Sequence, residues 1–309
     1  MNQPQDIIAE ISGTSQSFRS GFWMKRIPVL HNVTLRIPRR SVFGFLGANG
    51  AGKTTLIHLL VGIRKPFEGT VRINGHDAAT PEARALIGYL PERPYFHEHL
   101  TGSQLLRYFG ALSGMTPEQI TARIPEVLTS VGLLQAAGME LRRYSKGMLQ
   151  RIGIAQALLH NPEFLVLDEP MSGLDPVGRK EIRELILRLS HEGRTIFFSS
   201  HVIPDVETIC DEVALIQQGR IITCGPIGNF LAQGDLTTEV AFSGISLAQA
   251  EKIATFQSIR EMPDGIRATV GSQDAVQSTL QGLLNSGARV LWVTPLRPSL
   301  ESLFEKGTQ

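Results

Sequence analysis

The stretch GANGAGKTT, residues 47–55, follows the mostly apolar run SVFGFL, residues 41–46. No other feature restricts the fold as tightly. Glycines there let backbone N–H groups turn inward and approach an anion with no Cβ in the way. The pattern G-x-x-x-x-G-K-[ST] is met by Gly47, Gly52, Lys53 and Thr54, with Asn49, Gly50, Ala51 and Thr55 filling the loop and its exit. The loop then opens a helix, whose free N–H groups and dipole favour anions. In such a loop Lys53 carries a positive charge to the β- and γ-phosphates of a nucleotide, and the Thr54 hydroxyl can ligate Mg2+. A ligand-free glycine turn is the competing reading of the loop alone.

Two downstream segments favour the phosphate reading. The apolar run FLVL, residues 164–167, ends in Asp168 and Glu169. Two charges at the end of a buried strand are costly unless they are paired or used. In a nucleotide site Asp168 holds the Mg2+ shell, and Glu169 sits beside the attacking water as base or orienter. A second run, TIFFSS at 195–200, is followed by His201. Its place at the end of another buried strand parallels that of the acids. This favours a γ-phosphate contact over a surface cap, because open α/β sheets bind ligands beyond the carboxyl ends of their strands.

Strongly apolar strands alternate with helical stretches from 42 to 217. This argues a largely parallel sheet covered on both faces. Short strands are expected over 7–46 and a helix from Lys53 to Ile63. Helices are also expected over 101–134, from Ser145 to about His160, and over 177–191. After about residue 225 the order becomes β-α-β-β-α-β, the split pattern of a ferredoxin-like unit. A last helix is read at 299–305. The expected division is 1–227 and 228–309.

The chain has 309 residues, 42% of them hydrophobic, enough for one large domain and a smaller one. Its 30 basic and 29 acidic residues give no global basic excess, so nucleic acid is not an expected partner, although local patches are allowed. No apolar run approaches the ~20 residues that span a bilayer. The N-terminus has no secretory pattern. Cys210 and Cys224 have no metal-ligand spacing and read as buried, reduced thiols. These features point to a cytoplasmic chain, and any membrane role would have to come through a partner.

The segment YSKGMLQR, residues 144–151, lies between the glycine loop and the acidic strand. With those motifs, residues 7–225 resemble the ATP-binding cassette (ABC) ATPases, and the segment resembles their LSGGQ signature. Ser145 and Gly147 match, whereas Tyr144, Lys146 and Met148 depart. The residues agree with that resemblance: Ser145 can cap a helix, and Gly147 permits close approach to a phosphate. The resemblance implies an α/β fold: a P-loop nucleotide-binding domain with a largely parallel central sheet, an antiparallel β subdomain and a helical subdomain at about 95–143. It implies ATP and Mg2+. It also implies two cassettes closing head to tail, each ATP held between one glycine loop and the other chain's Ser145 and Gly147. Met171–Asp175 resembles the family's D-loop, with Asp175 its acid.

Two further positions follow from the resemblance. Glu92 stands where the family usually has a glutamine that touches Mg2+, and a carboxylate can serve as ligand there. Phe18 is the candidate for the adenine-stacking aromatic, worth on the order of 1 kcal/mol, with Phe22 and Trp23 as competitors. Arg19, Lys25 and Arg26 flank Phe22, Trp23 and Met24, a mixture suited to a membrane surface or to a solvated hairpin tip. The implied partners are a separate integral membrane subunit and a second ATPase subunit, a second copy being the simplest. The signature variant, the pair Pro91-Glu92 and the short C-terminal unit resemble exporter ATPases. An importer ATPase is the alternative. A soluble non-transport ATPase of the superfamily normally needs a second cassette or a coiled-coil insertion, and neither is seen.

Overall fold

Strand Val42–Leu46 is buried along its whole length, and the fold is arranged to cover it. The computed structural model describes residues 6–20, 25–232, 237–271 and 273–296. It divides into two compact units, Met1–Pro226 and Ile227–Gln309.

The first unit opens with β1 (Ile7–Ser20), β2 (Lys25–Pro38), β3 (Val42–Leu46), α1 (Lys53–Leu60), β4 (Glu68–Ile73) and β5 (His76–Asp77). It continues through α2 (Pro81–Ala85), β6 (Ile87–Leu90), α3 (Gly102–Leu112), α4 (Pro117–Ser130) and α5 (Lys146–Leu158). It ends with β7 (Phe164–Leu167), α6 (Pro176–His191), β8 (Thr195–Ser200), α7 (Ile203–Ile209), β9 (Glu212–Gln217) and β10 (Arg220–Pro226).

Two sheets result. One has the order β10-β9-β3-β8-β7-β6, parallel except for the β10–β9 edge. The other, antiparallel, has the order β2-β1-β4-β5. Strands buried on both faces suit the parallel arrangement, and β3, β7 and β8 are fully buried. Leu56, Ile57, Leu59 and Leu60 of α1 share one apolar cluster with Ile8 and Ile11 of β1 and with Phe43, Phe45 and Phe197 of the parallel sheet. The helix that leaves the glycine loop is therefore fixed between two sheets. Helices α3, α4 and α5 pack on one another, with Thr101, Thr116 and Ser145 as side-chain caps.

Several expectations change. β1 and β2 are not short: each has 14 residues and they pair along most of their length. Helix α1 stops at Leu60, short of Ile63. Gly62 takes φ +71, and a Cβ there would lie 2.0 Å from Ala78 O, so the chain must turn at that point. β10 was not expected; it returns along β9 through a tight turn with Gln218 and Gly219 both at positive φ. Cys210 is buried as expected, but Cys224 is exposed, because β10 is an edge strand with alternating burial. Burial still pushes both thiols up, Cys224 to about 11.

The second unit contains α8 (Ile227–Ala232), β11 (Thr237–Ser243), α9 (Leu247–Ile253), β12 (Ser258–Met262), β13 (Gly265–Val270), α10 (Gln273–Asn285) and β14 (Arg289–Leu296). Its antiparallel sheet has the order β12-β13-β11-β14, which is the ferredoxin-like arrangement. Val240, Phe242, Ile266, Ala268 and Val270 face Leu283 and Ala250 in a separate core. The helix read at 299–305 lies outside the described residues.

The Phe197 ring packs against Phe43 and Phe45, with centroids 5.7 and 5.4 Å away, and is fully buried. Phe197→Ala is expected to cost about 3–5 kcal/mol, read as a lowered midpoint in denaturant melts with an unchanged slope.

Candidate functional site

The parallel strands deliver their ends side by side. Leu46 of β3 is in register with Ser200 of β8, and Leu167 of β7 with Phe198. The glycine loop, Asp168-Glu169, His201 and Glu92 thus leave four neighbouring strands at one edge of the sheet. Gly47 lies against β9, where a Cβ would meet Ile216 O at 2.6 Å. Gly50 and Gly52 hold φ +80 and +108, conformations that L side chains rarely adopt. Gly52 forms the N-cap of α1 without any side-chain bond, so the first N–H groups of that helix are left for an anion.

Lys53 is buried at 6% exposure. Its Nζ donates to Gly47 O at 2.7 Å and Ala48 O at 3.3 Å, and it pairs with Glu169 Oε1 at 3.1 Å. Glu169 Oε2 lies 2.9 Å from His201 Nδ1, whose tautomer this contact sets. Lysine, glutamate and histidine therefore form one chain of contacts. Glu169 has φ +49, uncommon for a residue with a Cβ and typical of strained functional positions.

Asp168 is 1% exposed. Ser199 Oγ donates to its Oδ1 at 2.6 Å and accepts from Glu169 N–H at 2.8 Å. Burial pushes the Asp168 carboxyl above its ordinary value of 3.8; bonds from Ser199 and Thr54 oppose that shift, and the charges of Glu169 and Glu92 add to it. Asp168 Oδ2 is buried with no hydrogen-bond partner. An orphaned carboxylate oxygen beside the Thr54 hydroxyl fits a divalent cation. Among the described residues, no three His, Cys, Asp or Glu side chains converge as a metal cluster, so phosphate and water would complete the shell.

A cleft of about 400 Å³ gathers Asn49, Gly50, Gly52, Lys53, Thr54, Thr55, Glu92, Glu169 and His201. Val29, Ala48 and Ser172 also line it and were not expected from sequence. Glu92 is exposed, with Arg93 Nε 3.8 Å away. Ser199 was missed too. Its signal was available: hydroxyls ending an otherwise apolar strand, next to His201.

Seven candidates do not line the cleft: Gly47, Ala51 and Asp168 belong to the loop and strand end beside it, and Phe18, Ser145, Gly147 and Asp175 lie on other elements. Phe18 is on β1, and the Arg64 guanidinium lies 4.9 Å from its ring centroid. Its competitors Phe22 and Trp23 lie outside the described residues. Ser145 Oγ accepts from Met148 N–H at 3.2 Å as the cap of α5. Asp175 Oδ1 accepts from Gly178 N–H at 2.8 Å as the cap of α6. Gly147 sits in the first turn of α5, where a Cβ would meet only Ser145 Oγ at 4.0 Å.

The elements that carry the two loops are tied together. Arg183 of α6 donates to Asp205 Oδ1 of α7 at 2.6 Å, with Asp205 2% exposed. That bond holds the helix after the 168–175 segment to the helix after His201.

Comparison with known proteins gives a family. A family model described as ABC transporter matches residues 30–172. An uncharacterized ABC transporter ATP-binding protein of Synechocystis is 37% identical over 300 residues, which cover 96% of this chain and 83% of that one. The bacitracin transport ATP-binding protein of Bacillus licheniformis is 36% identical over 281 residues, 89% of this chain and 90% of that one. A solved structure from Clostridium perfringens, part of an ABC transporter complex, is 28% identical with TM-score 0.65, covering 74% of this chain and 92% of its own.

A prediction follows from Asp168. A folded-state value raised above 3.8 means that the fold penalises the ionised form. The penalty is absent below the unfolded value and complete above the folded one. Asp168→Asn should therefore raise the melting temperature of the nucleotide-free chain at neutral pH, and the gain should shrink as pH falls toward 4. An unchanged melting temperature at both pH values would count against it.

Proposed function

The chain belongs to the ABC transporter ATP-binding family, and on that premise we propose that it binds and hydrolyses ATP to drive a separate membrane subunit, as an exporter. The observation that carries this is the contact chain Lys53–Glu169–His201 in one cleft with the orphaned Asp168 Oδ2 beneath it. The loop 47–52 and the first N–H groups of α1 hold the phosphates, and Lys53 neutralises their charge. Thr54 and Asp168 hold Mg2+, with Glu92 as a further oxygen donor. The ion, when bound, neutralises charge developing on the transferred phosphoryl group. Glu169 orients the attacking water, and His201 positions Glu169 and touches the γ-phosphate. Phe18 is the candidate support for the base.

Ser145, Gly147 and Asp175 act from a facing copy. The open space at Gly147 supports this, since nothing among the described residues needs a glycine there. Residues 1–227 are the catalytic cassette, and 228–309 a smaller domain that supports the dimer. The signature variant, the pair Pro91-Glu92 and the short C-terminal unit favour export over import. A groove of about 860 Å³ lined by Tyr89, Pro91, Tyr95, Phe96, Phe109 and Leu112 suits a helix of the membrane subunit. Tyr95 is 90% and Leu112 65% exposed there, more apolar surface than isolated side chains usually show. No helix among the described residues is long and apolar enough to cross a membrane. The family's pairing with membrane subunits supports a working place at the cytoplasmic face, reached through the partner.

Glu169→Gln is expected to retain ATP, lose turnover by on the order of 100-fold or more, and accumulate as a dimer in size-exclusion chromatography with ATP. Wild-type turnover per chain should rise with protein concentration. Full, concentration-independent activity in a demonstrated monomer would overturn the composite site.

A further inference from the structure

We propose that the end of the β1–β2 hairpin where Arg19 and Ser20 pair with Arg26 and Lys25, together with the segment after α1, is a docking surface for the anionic face of a lipid bilayer. The pairing places Arg19 opposite Arg26 and Ser20 opposite Lys25, so three cations gather at the strand ends. The segment carrying Arg64 and Lys65 is laid against β1: Gln16 Nε2 donates to Lys65 O at 3.3 Å, and Phe67 N donates to Ser15 O at 3.0 Å. Two cation–π contacts bind the pieces into one patch, Arg64 over Phe18 at 4.9 Å and Arg26 over Phe67 at 4.7 Å.

The charge is local. The whole chain has a net charge of only +1, yet these five basic residues lie together with Glu68 the acid beside them. Among the described residues none of the five joins an ion pair. Arg64 and Lys65 gain something from the carboxyl end of α1, which favours cations. That does not account for Arg19, Lys25 and Arg26.

The apolar side chains distinguish a lipid surface from a nucleic acid. Ile27, Ile63 and Phe67 are 48%, 58% and 51% exposed among the cations. Cations interleaved with aliphatic side chains suit the boundary between headgroups and acyl chains. Single-stranded nucleic acid needs free aromatic faces for stacking, and among the described residues of the patch a guanidinium lies over each of the two rings, Phe18 and Phe67. The patch does not depend on the proposed ATPase activity, although it contains Phe18, the candidate support for the base, and Val29 of β2 lines the nucleotide cleft.

The test is co-sedimentation of the full chain with vesicles of phosphatidylcholine alone or mixed with phosphatidylglycerol. Retention is expected on the mixed vesicles only, and should fall as salt is raised. The combined variant Lys25→Glu, Arg26→Glu and Lys65→Glu should weaken retention on the order of 100-fold, at about a fivefold loss per cation. If that variant fails to fold by circular dichroism, Lys65→Gln alone should lose about fivefold. ATP affinity, measured on the same variants without vesicles, should stay at the wild-type value; this readout separates failure of the patch from failure of the nucleotide site. Equal retention on both vesicle types, unchanged retention by the variants, or release from mixed vesicles by an oligonucleotide of matched charge would overturn the assignment.

Discussion

A primary ammonium at 6% exposure is the interaction around which the first unit is organised. Burying such a charge is costly unless acceptors surround it. Lys53 finds two loop carbonyls and one carboxylate, at 2.7, 3.3 and 3.1 Å. The loop must therefore close over it, β7 must end in Glu169, and α1 must be pinned between two sheets so that the side chain cannot drift. The same compensation sets up the chemistry. In the proposed site an entering phosphate would compete with Glu169 for the ammonium. The carboxylate it displaces is the group proposed to orient water, so occupancy of the loop and availability of Glu169 are coupled through one charge.

Two adjacent acids do different work because the backbone separates them. Asp168 follows β7 directly and is covered, so its carboxyl is pushed up by burial and steadied by Ser199. Glu169, at φ +49, is turned the other way, toward Lys53 and His201. Ser199 spans the two, accepting from the Glu169 N–H and donating to Asp168. Without that hydroxyl the turn loses its anchor and a buried carboxylate loses a donor. Ser199, next to last in β8, therefore supports the cleft through both acids that follow β7.

Much of this was legible in the sequence, because the glycine loop and the strand-ending acids state their chemistry locally. Phosphate needs converging N–H groups and a cation, and a contiguous segment supplies both. The parallel sheet was legible for a similar reason: strands buried on both faces read as unbroken apolar runs. What escaped depends on distant neighbours. The roles of Val29 and Ser172 come from tertiary placement alone. The stop at Leu60 is set by Ala78, far along the chain, and β10 exists because Gln218 accepts a positive φ that its residue type does not advertise. Phe18 shows the limit from the other side. Its residue type suits base stacking, but its place on β1 puts Arg64 over the ring, and no local pattern announces that contact.

The segment 144–148 separates what the fold needs from what it does not. Tyr144 stands where the family usually has leucine, and the exchange has an internal reason. The ring is buried, and its hydroxyl donates to Ala136 O at 2.7 Å, tying the start of α5 to the turn after α4. Lys146 reaches over Gly173, where a Cβ would lie 1.9 Å from its Nζ, so glycine in that turn leaves room for the lysine. Gly147 is different. It has helical backbone, no left-handed φ, and open space where a side chain would stand, so alanine would suit the isolated helix better by roughly 0.5–1 kcal/mol. Among the described residues nothing needs a glycine there, and its proposed reason is a facing chain. That is the position at which the facing cassette's phosphate is proposed to approach.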